Sequence, residues 1–307
     1  MDIVPLLANL ALALLVAPLL NGVIKKSKAF YQNRCGPGIL QPWFDILKYL
    51  SRESVVSEHA SWIYRVAPYV YFGAHLAAAG LVSMVLVGPP LAGVGDVIVL
   101  VGLLALARFF LALAALDTAS NFGGMGTSRE LAFAALVEPA LFLGLFALAI
   151  PAGSTALGAL SGDGSVTVAR VLTFAALFIV AIAETGRIPV DNPDTHLELT
   201  MAHEGMLLEY SGRPLGLLLW GTHVKQLVIL SLLAAIFFPW GIASQPSFFD
   251  LAIGLTSYLL KIGLLGLALA LVETGNVKLR IFRVPGLLGA ASLLGILAIT
   301  SVYLVGG

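Results

Sequence analysis

The chain has almost no cysteine, little charge and no excess of basic residues. Among its 307 residues Cys35 is the single cysteine. It cannot close an intramolecular disulfide or supply a multi-cysteine zinc or iron–sulfur site. Asp, Glu, Lys and Arg make up 11% of the chain, against about 25% in an average soluble domain. With 17 basic and 17 acidic side chains there is no basic field to attract a nucleic acid. Period-two alternation of apolar and polar residues is absent as well, which argues against a membrane β-barrel. What fills the chain is apolar: 59% of residues are hydrophobic. So much apolar surface must face something other than water, and a lipid bilayer suits it. The expected fold is an all-α, polytopic membrane protein.

A helix needs about 20 mostly apolar residues to cross a bilayer. Eight stretches qualify, at about 3–24, 66–88, 91–116, 131–150, 166–184, 216–238, 250–272 and 286–305. The opening residues lack the basic stretch of a signal peptide and read as the start of the first span. Gly88-Pro89-Pro90, Pro151-Ala152-Gly153 and Pro239-Trp240-Gly241 mark tight turns. Basic residues follow only the odd-numbered stretches, and the connections after the second, fourth and sixth hold no Lys or Arg. Because positive charge stays on the cytoplasmic side, both termini should lie outside. The chain reads as one integral domain, residues 1–307, in the inner (cytoplasmic) membrane. Its long cytoplasmic loops fall at about 25–65 and 185–215. Within the first, Gln41–Leu50 is amphipathic and suits the membrane interface.

Charge inside a bilayer is costly and is usually tied to function. Arg108, Glu138, Lys225, Lys261 and His75 fall within the expected spans, with His223 beside Lys225. Glu184 and Glu273 fall at cytoplasmic span ends. Glu130 and Glu138 are eight residues apart, which on a helix is about 12 Å of rise on a similar face. That spacing suits entry steps of a proton path, with Pro139 freeing a backbone carbonyl beside the second. The alternative is a static pair of Glu138 with Arg108 or Lys225. Lys225 could relay a proton or pair with a glutamate. The segment from Glu184 to Gly212 carries six carboxylates, Glu184, Asp191, Asp194, Glu198, Glu204 and Glu209, with His196 and His203 between them and Arg187 as the only internal compensation. Interspersed Leu and Met residues make it half-buried rather than solvated. Carboxylates crowded this way change protonation as a coupled group. Other motifs fail. His203-Glu204 lacks the second histidine of a zinc protease helix, and Gly123-Gly124-Met125-Gly126 lacks the lysine and strand of a phosphate loop.

Three motifs together carry a family resemblance that spans essentially the whole chain. They are Arg34-Cys35-Gly36-Pro37-Gly38-Ile39-Leu40-Gln41-Pro42 with Asp45 and Lys48; Asp117-Thr118 with Phe122 through Glu130 and Glu138-Pro139; and Glu184-Thr185-Gly186-Arg187-Ile188-Pro189 through Glu209-Tyr210-Ser211-Gly212. In these the chain resembles the H-type membrane component of respiratory complex I, and more closely the membrane subunit of group 4 membrane-bound hydrogenases of the formate hydrogenlyase type. The run from Pro189 to Glu198 and the Gly-Gly-Met-Gly segment look like the hydrogenase version.

The resemblance implies a non-redox membrane subunit on which a peripheral redox arm docks and whose carboxylates begin an ion path. By the resemblance, path positions would be Glu138, Glu184, Glu198 and Glu209, to which the reading of the residues adds Glu130, Asp191, Asp194, Glu204, Lys225 and Glu273. By the resemblance, docking or quinone-chamber-like positions would be Arg34, Gln41, Asp45 and Lys48, and Arg129 and Arg187 are grouped with them as basic residues of the other two motifs. No catalytic residue, metal or nucleotide is expected in this chain, which would be a non-catalytic part of an oxidoreductase complex. Nickel–iron and iron–sulfur centres would belong to partner subunits, and quinone is a possible ligand. The implied partners are a hydrogenase-like large subunit, an iron–sulfur small subunit, antiporter-like membrane subunits and the lipid bilayer. The membrane component that forms the quinone chamber of NADH:quinone oxidoreductase is one alternative; a stand-alone secondary transporter is another.

Overall fold

The computed structural model describes residues 3–58, 60–85, 94–162, 165–192, 201–243 and 247–305. Among them the chain is helical throughout and has no strand; a lone bridge joins Asp96 to Ala156. The helices are α1 (Ile3–Tyr31), α2 (Gln41–Leu50), α3 (Trp62–Leu81), α4 (Val97–Asp117), α5 (Asn121–Ala152), α6 (Val168–Glu184), α7 (His203–Leu207), α8 (Gly212–Phe237), α9 (Phe248–Gly275) and α10 (Val284–Val305). Among the described residues each apolar stretch overlaps one of the long helices, but α3 stops at Leu81 and α4 begins at Val97, inside the expected edges, and residues 86–93 lie outside the described residues. Within α1, α4, α5, α8, α9 and α10 lie six segments long and apolar enough to cross a membrane. Helices answer the constraint that lipid imposes, since every backbone N–H and C=O finds its partner within its own segment.

Several helix ends differ from the expected edges, and side-chain caps account for some of the shifts. α5 starts at Asn121, not near 131, because the Ser120 hydroxyl accepts from Gly123 N and opens the helix there. Gly123-Gly124-Met125-Gly126 is therefore helical rather than a loop. α4 starts at Val97, where Asp96 accepts from Ile98 N at 2.7 Å. α1 runs on to Tyr31, so Lys25, Lys26 and Lys28 sit on a helix. Pro139 lies inside an unbroken α5, and Gly153, at φ +61°, closes that helix. The Gly88-Pro89-Pro90 turn lies outside the described residues.

α8 is the central helix, packed by α1, α2, α3, α6 and α9. α3 pairs with α4, α1 with α9, and α10 lies across α5 and α6. The main apolar core runs through this bundle. A second, smaller core joins Tyr64, Tyr71, Leu111, Met206, Tyr210 and Leu218 at the loop-rich end.

Two details fix that end. Tyr64 and Tyr210 stack 4.1 Å apart; the Tyr64 hydroxyl donates to the Glu209 carbonyl at 2.6 Å and the Tyr210 hydroxyl to the Tyr64 carbonyl at 3.0 Å. Burial pushes the Tyr210 hydroxyl above the ordinary phenol range, so it stays a neutral donor. α7 lies directly on α5 at Gly126, where a Cβ would come within 2.8 Å of the Ala202 carbonyl oxygen. Gly126→Ala should therefore lift α7 and cost about 1–3 kcal/mol, as overpacking does. Faster proteolysis of the 201–211 segment checks this; an unchanged cleavage rate would show that α7 is not seated by that contact.

Candidate functional site

Four helices bring their charged residues to one buried point. α4 supplies Arg108, α5 Glu130 and Glu138, α6 Glu184, and α8 Lys225. Arg108 Nη1 donates to Glu138 Oε1 at 2.5 Å, Nη2 donates to Glu184 Oε1, and Nε faces Glu130 Oε1 at 3.7 Å. Lys225 Nζ lies 3.0 Å from the other oxygen of Glu184. The eight-residue spacing on α5 thus delivers two carboxylates to the same guanidinium. Side-chain exposure grades from 2% at Glu184 through 16% at Glu130 to 35% at Glu138. Three carboxylates meet two cations, so by formal count the carboxylates outnumber the cations by one. A proton can enter such a group without stripping a cation of its partner.

A second cluster lies on the other side of α8. Glu273 of α9 is 2.8 Å from Lys28 Nζ on α1 and 3.4 Å from Arg187 Nη1. Arg187 Nη2 also donates to Asn21 Oδ1 at 3.0 Å and Gln226 Oε1 at 3.1 Å. Adjacent residues on a helix diverge by about 100°. Lys225 therefore serves the first cluster and its neighbour Gln226 the second, with α8 as the partition between them.

The two clusters meet beneath α7. A cavity of about 20 Å³ reaches Glu130, Glu184 and Lys225, and one of about 120 Å³ reaches Asn21, Arg187 and Gln226. Thr185, Gly186, Asp191, His203 and Thr222 line both. These volumes have room for one water and for several, respectively. The Thr222 hydroxyl is 3.1 Å from the Tyr71 hydroxyl and 3.4 Å from His203 Nε2. Asp191 fixes the approach to α7: Lys278 Nζ is 2.6 Å from Oδ1, and Ala202 N donates to Oδ2 at 3.2 Å.

Of the residues expected on a path, Glu130, Glu138, Glu184, Lys225, Asp191 and Glu273 lie along this seam, and Glu204 lines the larger cavity. Glu209 is exposed and lines neither cavity, and its backbone carbonyl accepts from the Tyr64 hydroxyl. Asp194 and Glu198 lie outside the described residues. Arg187, grouped with the docking positions, is instead buried in the Glu273 cluster, because it is the guanidinium that two amides and a carboxylate converge on. Arg34 is exposed in the connection before α2 and Lys48 is exposed on α2, where Gln41 donates to Asp45 at 2.9 Å. Arg129 donates to the Met201 carbonyl at 2.9 Å and helps hold α7. Lys261 pairs with no glutamate among the described residues: it donates to the Trp240 carbonyl and lies over that indole, 4.6 Å from its centre.

The residue with the most charged partners, Arg108, is absent from the expected site residues; the sequence offers it only as a buried charge and as one alternative partner of Glu138, a contact the structure contains. A lone arginine within an apolar helix is itself the signal, because a charge buried in lipid must be paired. Asn21 and Gln226, polar amides within apolar helices, carry the same signal. Among the described residues no group of three or more His, Cys, Asp or Glu is placed to hold a metal.

Known proteins resemble this chain along most of its length. Formate hydrogenlyase subunit 4 of Escherichia coli K12 is 38% identical over 275 residues, 88% of this chain and 89% of that protein. Hydrogenase-4 component C of the same organism is 38% identical over 271 residues, 87% and 85% of the two chains. The H-type component of the NADH-quinone oxidoreductase of Salinibacter ruber is 30% identical over 73% of this chain and 69% of its own length. The fold matches a chain of the membrane-bound sulfane sulfur reductase, an archaeal respiratory membrane complex, with a TM-score of 0.82 at 22% identity, over 96% of this chain and 99% of that one. A family profile described as NADH dehydrogenase matches residues 4–305, and the chain belongs to that family.

Proposed function

We propose that this chain anchors a hydrogenase-type redox complex in the inner membrane and passes its electron-transfer signal into ion translocation. In this reading α1, α3–α6 and α8–α10 cross the bilayer as one integral domain. Both termini lie outside, and the loops after α1 and α6 lie in the cytoplasm. The peripheral arm, with its nickel–iron large subunit and iron–sulfur small subunit, rests on the α1–α2 surface around Arg34, Gln41, Asp45 and Lys48. Antiporter-like subunits continue the path laterally in the membrane. The observation that carries the reading is the Arg108 cluster: five ionisable groups from four helices, buried or half-buried, in contact, with three carboxylates to two cations.

The coupling follows from where α7 sits. It closes both cavities with His203, while Arg129 and Asp191 hold the backbone at residues 201 and 202. A docked arm that shifts the 185–211 segment changes the reach of Glu184 to Arg108 and Lys225. The formal surplus is then rebalanced by a proton arriving at, or leaving, the cluster. The higher identity to hydrogenase subunits than to a quinone oxidoreductase component favours hydrogen chemistry in the partner. Purifying the complex through a tag on this chain tests the assignment. A co-purifying nickel-containing subunit and hydrogen-linked acidification in vesicles are expected. A nickel-free complex that reduces quinone with NADH would overturn it in favour of the quinone-oxidoreductase reading.

The docking surface gives a separate expectation. Arg34→Ala with Asp45→Ala should weaken retention of the peripheral subunits by about tenfold, as loss of a polar interface anchor does. Native gels read this directly; an intact complex at every detergent concentration would remove these residues from the interface.

A further inference from the structure

The connection between α9 and α10 has a chemistry that the ion seam leaves unused. From Asn276 to Arg283 it reads Asn-Val-Lys-Leu-Arg-Ile-Phe-Arg, with three basic residues and no acidic one. Val277 is 82% exposed and Phe282 95%, and both Arg280 and Arg283 are exposed. Among the described residues neither arginine forms an ion pair. The segment joins two helices that are long and apolar enough to span a bilayer. Those helices turn large apolar side chains outward, Leu264 and Leu271 on α9 and Leu293 and Leu297 on α10. Since α9 ends at Gly275 and α10 begins at Val284, the segment emerges where these outward apolar faces stop. That level is the bilayer surface, on the reading above that both helices cross.

We infer that residues 276–283 are a contact site for anionic phospholipid. Val277 and Phe282 enter the interface, and Arg280 and Arg283 hold headgroup phosphates. Exposed apolar residues alternating with arginine are what a headgroup layer over acyl chains recognises. A protein partner is the weaker match, because the segment lies at the foot of outward apolar faces of α9 and α10. The contact also reaches inward. Lys278 pairs with Asp191 at 2.6 Å, and Leu279 N donates to the Pro189 carbonyl at 2.9 Å. Headgroups that seat this strap therefore seat the turn carrying Arg187 and Asp191.

A nitroxide amino acid incorporated genetically in place of Val277 reports immersion in the assembled complex without labelling the metal-binding cysteines expected in the partner subunits. Vesicles of phosphatidylcholine alone are compared with vesicles of seven parts phosphatidylcholine to three parts phosphatidylglycerol. The label should be shielded from a water-soluble nickel chelate and open to oxygen, more so in the anionic vesicles. Arg280→Gln with Arg283→Gln should abolish that difference. It should also lower the phosphatidylglycerol retained on purification by about tenfold or more, as expected for two arginines at a charged surface. A water-exposed label in both vesicles overturns the inference. So does immersion that is indifferent to lipid charge, and so does shielding that appears only when the peripheral subunits are bound. A second nitroxide amino acid, in place of Leu264, separates the two readings: if it fails to reach hydrocarbon, the spanning arrangement itself is wrong. None of these measurements depends on ion translocation.

Discussion

Arg108→Gln should cost the fold about 3–5 kcal/mol, the usual penalty for removing one partner from a buried ion pair. The reason lies in the number of groups this guanidinium serves. It bonds Glu138 and Glu184 and faces Glu130, and so ties α4 to the carboxylates of both α5 and α6. Glutamine keeps an amide but cannot fork to two carboxylates. Glu184, 2% exposed, would keep only Lys225. The variant chain should accumulate poorly in membranes and aggregate at a clearly lower temperature in detergent. Adding Glu184→Gln should restore part of the loss, because the uncompensated charge then disappears. Equal melting of wild type and Arg108→Gln would mean that water reaches the cluster freely and that its burial is nominal.

How much of this site could be seen in the sequence depends on range. The helices were legible because each apolar stretch is local, and six of them hold segments that meet the length and apolarity of a membrane crossing. The relation of Glu130 to Glu138 was legible too, because one helix fixes it. The hub was not. That Arg108 meets Glu184 follows from how α4, α5 and α6 pack, across 76 residues of sequence. Nor could the sequence tell that Arg187 turns inward to Glu273 while Glu209 turns outward: both sit in one acidic segment, and only the fold sorts them. The sorting by α8 is the instructive case. Lys225 and Gln226 are neighbours in sequence and belong to different clusters, which a helical period shows only once both partners are known.

The charge count of the Arg108 cluster leads to the sharpest expectation. Three carboxylates share two cations, and Glu138 is the one at the margin, 35% exposed and held by a single guanidinium contact. Glu138→Gln therefore removes the surplus carboxylate while leaving the Arg108–Glu184–Lys225 pairs in place. The complex should assemble, and electron transfer should run close to the wild-type rate. Translocation should fall by about a hundredfold, the lower end of what a positioned proton-transfer group contributes. Glu138→Asp, which keeps the charge on a shorter arm, should lie between the two. Arg108→Gln and Glu138→Gln thus part company, the first losing the protein and the second losing only the coupling. Vesicles holding the Glu138→Gln complex give the decisive comparison of acidification with electron flux. If both remain at wild-type level, the surplus carboxylate is not the carrier. The cluster would then be the static pair that a carboxylate and an arginine can also form inside a bilayer.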